Sequence, residues 1–303
     1  MIKTKVCIVG AGPGGVATAL KLSYMGIPSV LIDKATFPRD KVCGDAISGK
    51  VTTLLNRLDP DILVRFGNEP THTDVWGIAF AVPNGKVLDI PFKPNYVRDE
   101  KNAPGYICKR VDFDNFMIQE VKRRENIQFR EGVEIEEFDN SEDGWTVKNG
   151  DGSFVVKSEI LVMANGAHSS FTRKISGIDK ENAHHAGAVR AYFKNVQELK
   201  KDNFIELHFL KQLTPGYFWI FPLPDGNANV GLGMRSDFIK KRSINLKKAF
   251  FEVIDSHPEI SERFKDAEMI GKLEGYGLPL GSKSRHISGE RFMLVGDAGH
   301  LVD

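Results

Sequence analysis

Lys5-Val6-Cys7-Ile8-Val9-Gly10-Ala11-Gly12-Pro13-Gly14-Gly15 is the stretch that decides the fold. Lys5 to Val9 is a short apolar run of the kind found in a parallel strand buried on both faces, and Gly10-x-Gly12-x-x-Gly15 follows it at once. Val16, Ala19, Leu20 and Leu22 then recur at helical spacing until Gly26 supplies a stop. Ser29 to Ile32 is a second apolar strand, closed by Asp33. Strand, glycine turn, helix, strand and acid make one βαβ unit. In such a unit Gly10 permits the tight turn, Gly12 lets the backbone approach a pyrophosphate, and Gly15 lets helix and strand pack closely. The helix N-terminus adds unbonded N–H groups and a positive dipole end. Asp33 is placed to accept hydrogen bonds from an adenosine ribose diol and disfavours a 2′-phosphate, so FAD or NAD is expected rather than NADP.

The other end of the chain separates those two. Phe292-Met293-Leu294-Val295-Gly296-Asp297-Ala298-Gly299-His300 is an apolar strand ending in Gly-Asp. It resembles the Gly-Asp motif of FAD enzymes of the glutathione-reductase structural class, whose Asp binds the ribityl chain, and so implies FAD. Ala164-Asn165-Gly166-Ala167-His168-Ser169-Ser170-x-x-Arg173 resembles the Asp-Gly motif of flavin hydroxylases, with Asn165 in place of the acid. An amide keeps the hydrogen-bonding capacity and loses the charge. Arg173 reads equally as a phosphate contact and as a solvated surface residue; His168 reads as an exposed turn residue.

Three further patterns narrow the family. Arg39-Asp40-Lys41-Val42-Cys43-Gly44-Asp45 resembles the R-x-K-x-C-G loop of the geranylgeranyl reductase group, and Lys109-Arg110-Val111-Asp112-Phe113-Asp114 resembles its R-x-x-F-D motif. Tyr217-x-Trp219-x-Phe221-Pro222 with Asn229-Val230-Gly231-Leu232-Gly233 is similar to that group's Y-x-W-x-F-P…N-V-G-x-G signature, Leu223 standing where a Lys is usual. Tyr217, Trp219 and Phe221 alternate on one strand and so share a face, which fits either a sheet core or the wall of an apolar pocket. The resemblance implies a Rossmann-like α/β FAD-binding domain carrying an inserted, mostly antiparallel β-sheet substrate domain. It implies an FAD-dependent oxidoreductase that reduces isolated C=C bonds of an isoprenoid lipid by hydride transfer from reduced flavin, with NAD(P)H or ferredoxin as the electron donor. Under it, the cofactor-binding residues are Gly10, Gly12, Pro13, Gly14, Gly15, Asp33, Lys34, Cys43, Gly44, Arg110, Asn165, Gly166, Gly296 and Asp297. Tyr217, Trp219 and Phe221 face the substrate, and Cys43 is the candidate catalytic residue. Such relatives continue for about a hundred residues past Gly-Asp, through a helix N-terminus that steadies reduced flavin, so a chain stopping at Asp303 is expected to be truncated.

Two rivals stay open. A flavin monooxygenase or halogenase would use the same scaffold; halogenases carry W-x-W-x-I-P and a catalytic Lys, and Lys86 is in the right region but in an Asn84-Gly85-Lys86 hairpin context. A non-catalytic FAD-binding fragment is the third reading.

Composition excludes other classes. Among 303 residues, Lys+Arg 41 balance Asp+Glu 40, leaving no field to hold a nucleic acid. No apolar run approaches the roughly 20 residues of a spanning helix, and no leader peptide is read at the N-terminus. Cys7, Cys43 and Cys108 lack metal or disulfide spacing, so no metal and a reducing, cytoplasmic setting are expected, with peripheral membrane contact left open. An apolar small molecule or prenyl lipid is the expected partner.

The remaining elements read as helices over Lys50–Leu58, Val111–Arg124 and Leu246–Ile254. Pro83-Asn84-Gly85 marks a hairpin between Val75 and Phe92. Separate short strands are expected at Val133–Phe138, Phe154–Val156 and Ile160–Met163, and aromatic-rich strands at Ala188–Phe193, Phe204–Leu210, Tyr217–Pro222 and Ala228–Met234. The FAD domain is expected over 1–74, 100–180 and 285–303, and the substrate sheet over 75–99 and 181–284.

Overall fold

The computed structural model describes residues 1–95, 97 and 103–302. Asp303 and the expected boundary at 99/100 lie outside the described residues. The chain divides into two compact units: residues 1–39, 111–184 and 278 onward form one, and residues 40–110 and 185–277 form the other.

The first unit is built on five strands in the order Phe292–Leu294, Val155–Met163, Ile2–Val9, Ser29–Ile32 and Ile127–Arg130, each parallel to its neighbours. Their apolar runs are buried on both faces, as a parallel sheet covered by helices requires: Cys7, Ile8, Leu31, Ile32 and Leu161 are all buried. Val9, Ile32 and Met163 end in register, so three chain turns leave the sheet at one edge. The helix Pro13–Tyr24 starts directly after the first strand, with Gly12 at the N-cap and Pro13 in the first turn. This is the α/β dinucleotide-binding architecture expected of the opening stretch.

The second unit centres on a seven-stranded sheet in the order Glu268–Pro279, His185–Lys194, Ala228–Arg235, Gly216–Pro222, Ile205–His208, Gly77–Ala81 and Val87–Pro91. Pairing is antiparallel from His185–Lys194 through Ile205–His208 and within the final hairpin, and parallel where Ile205–His208 meets Gly77–Ala81. Its two faces differ. Phe218, Ile220, Val230 and Leu232 pack with Phe250 and Val253 of the Leu246–Ser256 helix in the larger core. Trp219 and Phe221 point the other way, into a smaller cluster with Val75, Ile107 and Leu223.

Several local expectations change. Phe154–Val156 and Ile160–Met163 belong to one strand, Val155–Met163; Ser158 breaks the apolar pattern yet is buried mid-strand between Trp145 and Thr4. The strand expected at Val133–Phe138 runs instead over Glu137–Ser141, set by its hairpin partner Gly144–Lys148. Glu268–Pro279, exposed over half its length and rich in glycine and charge, forms an unanticipated edge strand, and Pro60–Gly67 an unanticipated helix.

Candidate flavin site and aromatic face

The first unit gathers most of the expected cofactor residues at the C-terminal ends of its parallel strands. Gly10 has φ +106°, and a Cβ there would lie 2.3 Å from the Ala164 carbonyl oxygen. A Cβ on Gly15 would fall 1.8 Å from the Gly10 oxygen, and one on Gly14 2.8 Å from Val295 Cγ1. These three glycines are demanded by the chain's own packing. Gly12 is not: a Cβ there would meet only Arg39 Nη2, at 3.9 Å. Its bare backbone faces open space at a helix N-terminus that has no side-chain cap, which is the geometry of a phosphate cradle.

Asp33 ties this turn to the second strand. Its Oδ2 accepts from the Ala11 N–H at 2.6 Å and its Oδ1 from the Ala35 N–H at 2.8 Å; each oxygen keeps a further lone pair for a ribose hydroxyl. Asn165 follows Ala164, whose N–H donates to Val9 O at 2.7 Å, and the buried Asn165 Oδ1 has no hydrogen-bond partner in the protein. An orphaned acceptor beside an open glycine turn fits a polar ligand with hydroxyl or N–H groups. Gly166 and Gly296 both take positive φ, +84° and +61°. The segment after Asn165 is tied to the Gly296–Gly299 turn holding Asp297 by Thr172 Oγ1, which donates to Ala298 O at 2.7 Å.

Other expected residues lie differently. Lys34 pairs on the surface with Glu134 at 2.9 Å, while Pro13, His168 and Arg173 are exposed. Cys43, Gly44, Arg110, Tyr217, Trp219 and Phe221 belong to the second unit. One contact near Gly12 has no signature in the sequence. Arg39 Nη1 stands 2.7 Å from the buried Asp114 carboxylate, with the guanidinium over the Phe37 ring at 5.0 Å. The two residues come from two motifs quoted separately above, and nothing in either stretch says that they touch.

In the second unit Asn229, fully buried, organises the loop around Cys43. Its Nδ2 donates to Cys43 O at 2.9 Å and to Asp45 Oδ2 at 2.8 Å, and its Oδ1 accepts from Trp219 Nε1 at 2.9 Å. Tyr192 Oη also donates to Asp45 Oδ2, at 2.7 Å, and carries the Arg190 guanidinium over its ring at 4.2 Å. Burial pushes the Asp45 carboxyl up to about 6, against the opposing hydrogen bonds from Asn229 and Tyr192. Burial and the Asp45 charge likewise raise the Tyr192 phenol. Cys43 is half-buried, and Gly44 is kept small by Phe221, whose Cε2 would lie 3.2 Å from a Cβ there.

Trp219 lies over glycines. A Cβ on Gly231 would stand 2.2 Å from Trp219 Cζ2, and one on Gly233 would touch Cζ3 at 3.8 Å. Tyr217 and Trp219, and then Trp219 and Phe221, follow each other at ring separations of 6.1 Å. Trp219 and Phe221 are buried, whereas Tyr217 is 38% exposed.

The parallel sheet and its glycine turn have the architecture of a dinucleotide-binding protein. The family model for the FAD binding domain matches residues 3–303, and the chain belongs to that family; FAD is its cofactor, and it is an FAD-dependent oxidoreductase. It is 28% identical over 305 residues to the digeranylgeranylglycerophospholipid reductase of Methanococcus aeolicus, covering 98% of this chain and 70% of that one. It is 26% identical over 311 residues to the menaquinone reductase of Mycolicibacterium smegmatis, covering 99% and 71%. A geranylgeranyl bacteriochlorophyll reductase-like protein from Thermoplasma acidophilum shares the fold with a TM-score of 0.82 at 22% identity, over 100% of this chain and 73% of that one. The myxobacterial chondrochloren halogenase shares it with a TM-score of 0.82 at 19% identity, over 100% and 70%. Among the described residues no helix is long and apolar enough to cross a membrane.

Proposed function

We propose that this oxidoreductase saturates isolated C=C bonds in the prenyl chains of an isoprenoid lipid, with NAD(P)H or ferredoxin as electron donor. The observation that carries the reading is the second unit's aromatic face. On three neighbouring strands, from Ile78 and Phe80 through Leu207 to Tyr217, Trp219 and Phe221, the positions that share this face carry no charge; two strands beyond Trp219 the same face carries Arg190, opposite Gly231. An unactivated alkene offers no polar handle, so its binding rests on apolar area and excluded water. Bound FAD, once reduced, supplies the hydride equivalent. The chain's own residues supply binding and order. Gly12 and the helix N-terminus are assigned to the phosphates, Asp33 to the ribose, and Asn165 and Asp297 to polar groups nearer the reactive end. Cys43, its carbonyl held by Asn229, is assigned to positioning substrate or passing a proton. The relatives named as digeranylgeranylglycerophospholipid reductases support the substrate class.

The test is anaerobic. The FAD-loaded protein is photoreduced and mixed with a digeranylgeranyl lipid. Return of oxidised-flavin absorbance without oxygen, together with a more saturated lipid by mass spectrometry, is the expected result. Reoxidation by oxygen alone points to a monooxygenase or halogenase, and a flavin that reacts with neither points to a non-catalytic binding protein.

A further inference from the structure

Residues 40–45 open the second unit as a loop without regular structure, and side chains of the large sheet hold it. Asn229 Nδ2 donates to Cys43 O and to Asp45 Oδ2, and Tyr192 Oη donates to the same Asp45 oxygen. A longer contact, Arg190 Nη2 to Asp40 Oδ2 at 3.4 Å, holds the start of the loop. Asp45 itself has φ +64°, a left-handed conformation that Asp tolerates better than most residues, and its carbonyl accepts from the Cys108 N–H at 3.0 Å.

The two carboxyl oxygens of Asp45 are treated unequally. Oδ2 takes both donors, whereas Oδ1 has no hydrogen-bond partner in a residue only 1% exposed. An ionised carboxylate here keeps one oxygen without solvent or donor, and burial penalises its charge. In the neutral acid the hydrogen belongs on Oδ1, because Asn229 and Tyr192 already donate to Oδ2, so both anchoring contacts survive. The charges around the site offset one another. Arg190 favours the carboxylate and Asp40 opposes it, and Arg190 is shared with Glu274 at 3.2 Å. Lys109 Nζ and the Arg190 guanidinium lie over the Tyr192 ring at 5.2 and 4.2 Å, and Lys41 lies over Tyr276 at 5.0 Å.

We propose that neutral Asp45 is the positioning residue of the Cys43 loop, and that its ionisation releases the loop from the sheet. Asn229 also accepts from Trp219 Nε1, so the same anchor sets Cys43 against the aromatic row. The consequence for turnover rests on the isoprenoid reading; the anchoring itself does not. In the released loop the carboxyl returns to its ordinary value, 3.8 against about 6 when buried. Anchoring is therefore fully favoured below the lower value and weakens as pH rises through the higher one.

The FAD-loaded protein is treated with dithiodipyridine between about pH 4 and pH 7, and mass spectrometry separates labelling of Cys43 from that of the buried Cys7 and Cys108. Asp45→Asn is the reference: it is neutral at every pH, keeps an oxygen for Asn229 and Tyr192, and fits the left-handed backbone. The labelling rate of the wild type relative to Asp45→Asn should rise by at least about tenfold across this window. A carboxylate near a thiol disfavours the thiolate and slows labelling, so a rise reports release and not charge. Tyr192→Phe removes a donor that favours the carboxylate and should move the rise to higher pH. Hydrogen exchange over residues 40–45, corrected for its intrinsic pH dependence, should quicken in step, and it decides the matter if Asp45→Asn does not fold. A ratio or an exchange rate that stays flat or falls overturns the proposal, as does a Tyr192→Phe midpoint at or below that of the wild type. Anaerobic reduction of a digeranylgeranyl lipid should slow with rising pH in the wild type and keep a level profile in Asp45→Asn; identical profiles overturn the positioning role. No reduction by the wild type at any pH, with the labelling ratio still rising, overturns the isoprenoid reading and leaves the anchored loop standing.

Discussion

Gly12 and Gly15 lie three residues apart and serve different masters. Gly12 has φ −72° and open space around it, so Gly12→Ala costs the fold almost nothing and places a methyl in the proposed phosphate cradle. Its expected result is an unchanged melting temperature for the apo-protein and FAD affinity lower by at least about tenfold, roughly 1.4 kcal/mol, by fluorescence titration. Gly15→Ala drives a methyl into the Gly10 carbonyl and should lower both stability and FAD binding. Equal melting losses in the two variants would refute the distinction. Asp45 makes a second residue-scale case. Burial raises its carboxyl from 3.8 to about 6, so the native state holds this proton more tightly than the unfolded chain does. Its favourable contribution is complete below the unfolded value and is lost as pH rises through the folded one, a change of about 3 kcal/mol. Asp45→Asn removes that titration. Urea denaturation of both proteins between about pH 4 and pH 7 should show wild type losing stability relative to the variant as pH rises; parallel profiles would contradict it.

Among the elements, the Gly216–Pro222 strand and its neighbour Ala228–Arg235 illustrate why part of the site was legible and part was not. Period-two alternation puts Tyr217, Trp219 and Phe221 on one face whatever the tertiary context, so that face could be read from sequence. The reason for glycine at 231 and 233 could not, because it lies in a register that brings Gly231 opposite Trp219 across two strands. Gly231→Ala is expected to displace the indole and destabilise the protein by about 1–3 kcal/mol, with a loss of near-ultraviolet circular dichroism. Retention of the wild-type aromatic spectrum would show that Trp219 does not rest on this floor. The βαβ turn was legible because backbone conformation, close packing and phosphate access demand glycine at known spacings. By contrast, Asn229 meets Asp45 across 184 residues of chain, and Arg39 reaches Asp114 from another motif; neither pair leaves a local trace. Glu268–Pro279 escaped notice for a different reason: an edge strand exposed on much of its length needs no apolar alternation.

For the whole molecule, chain connectivity sets how ligand binding should be felt. The two units are interleaved in sequence, the chain passing between them after Arg39, Arg110, His184 and Gly277. The parts of the proposed cradle accordingly come from distant stretches: Gly10 to Gly15 and Asp33 precede the first crossing, Asn165 and Gly166 lie between the second and third, and Gly296 and Asp297 follow the last. A ligand that contacts all three segments fixes chain ends otherwise linked through long excursions. FAD at about one hundred times its Kd should therefore stabilise the native protein by about 2.7 kcal/mol. Hydrogen exchange should locate the added protection at Ala11–Gly15, Asn165–Gly166 and Gly296–Gly299 together, since each segment carries its own part of the cradle. Protection confined to Ala11–Gly15 would mean that only the adenine-side half of the cofactor is gripped, and would remove Asn165 and Asp297 from the site.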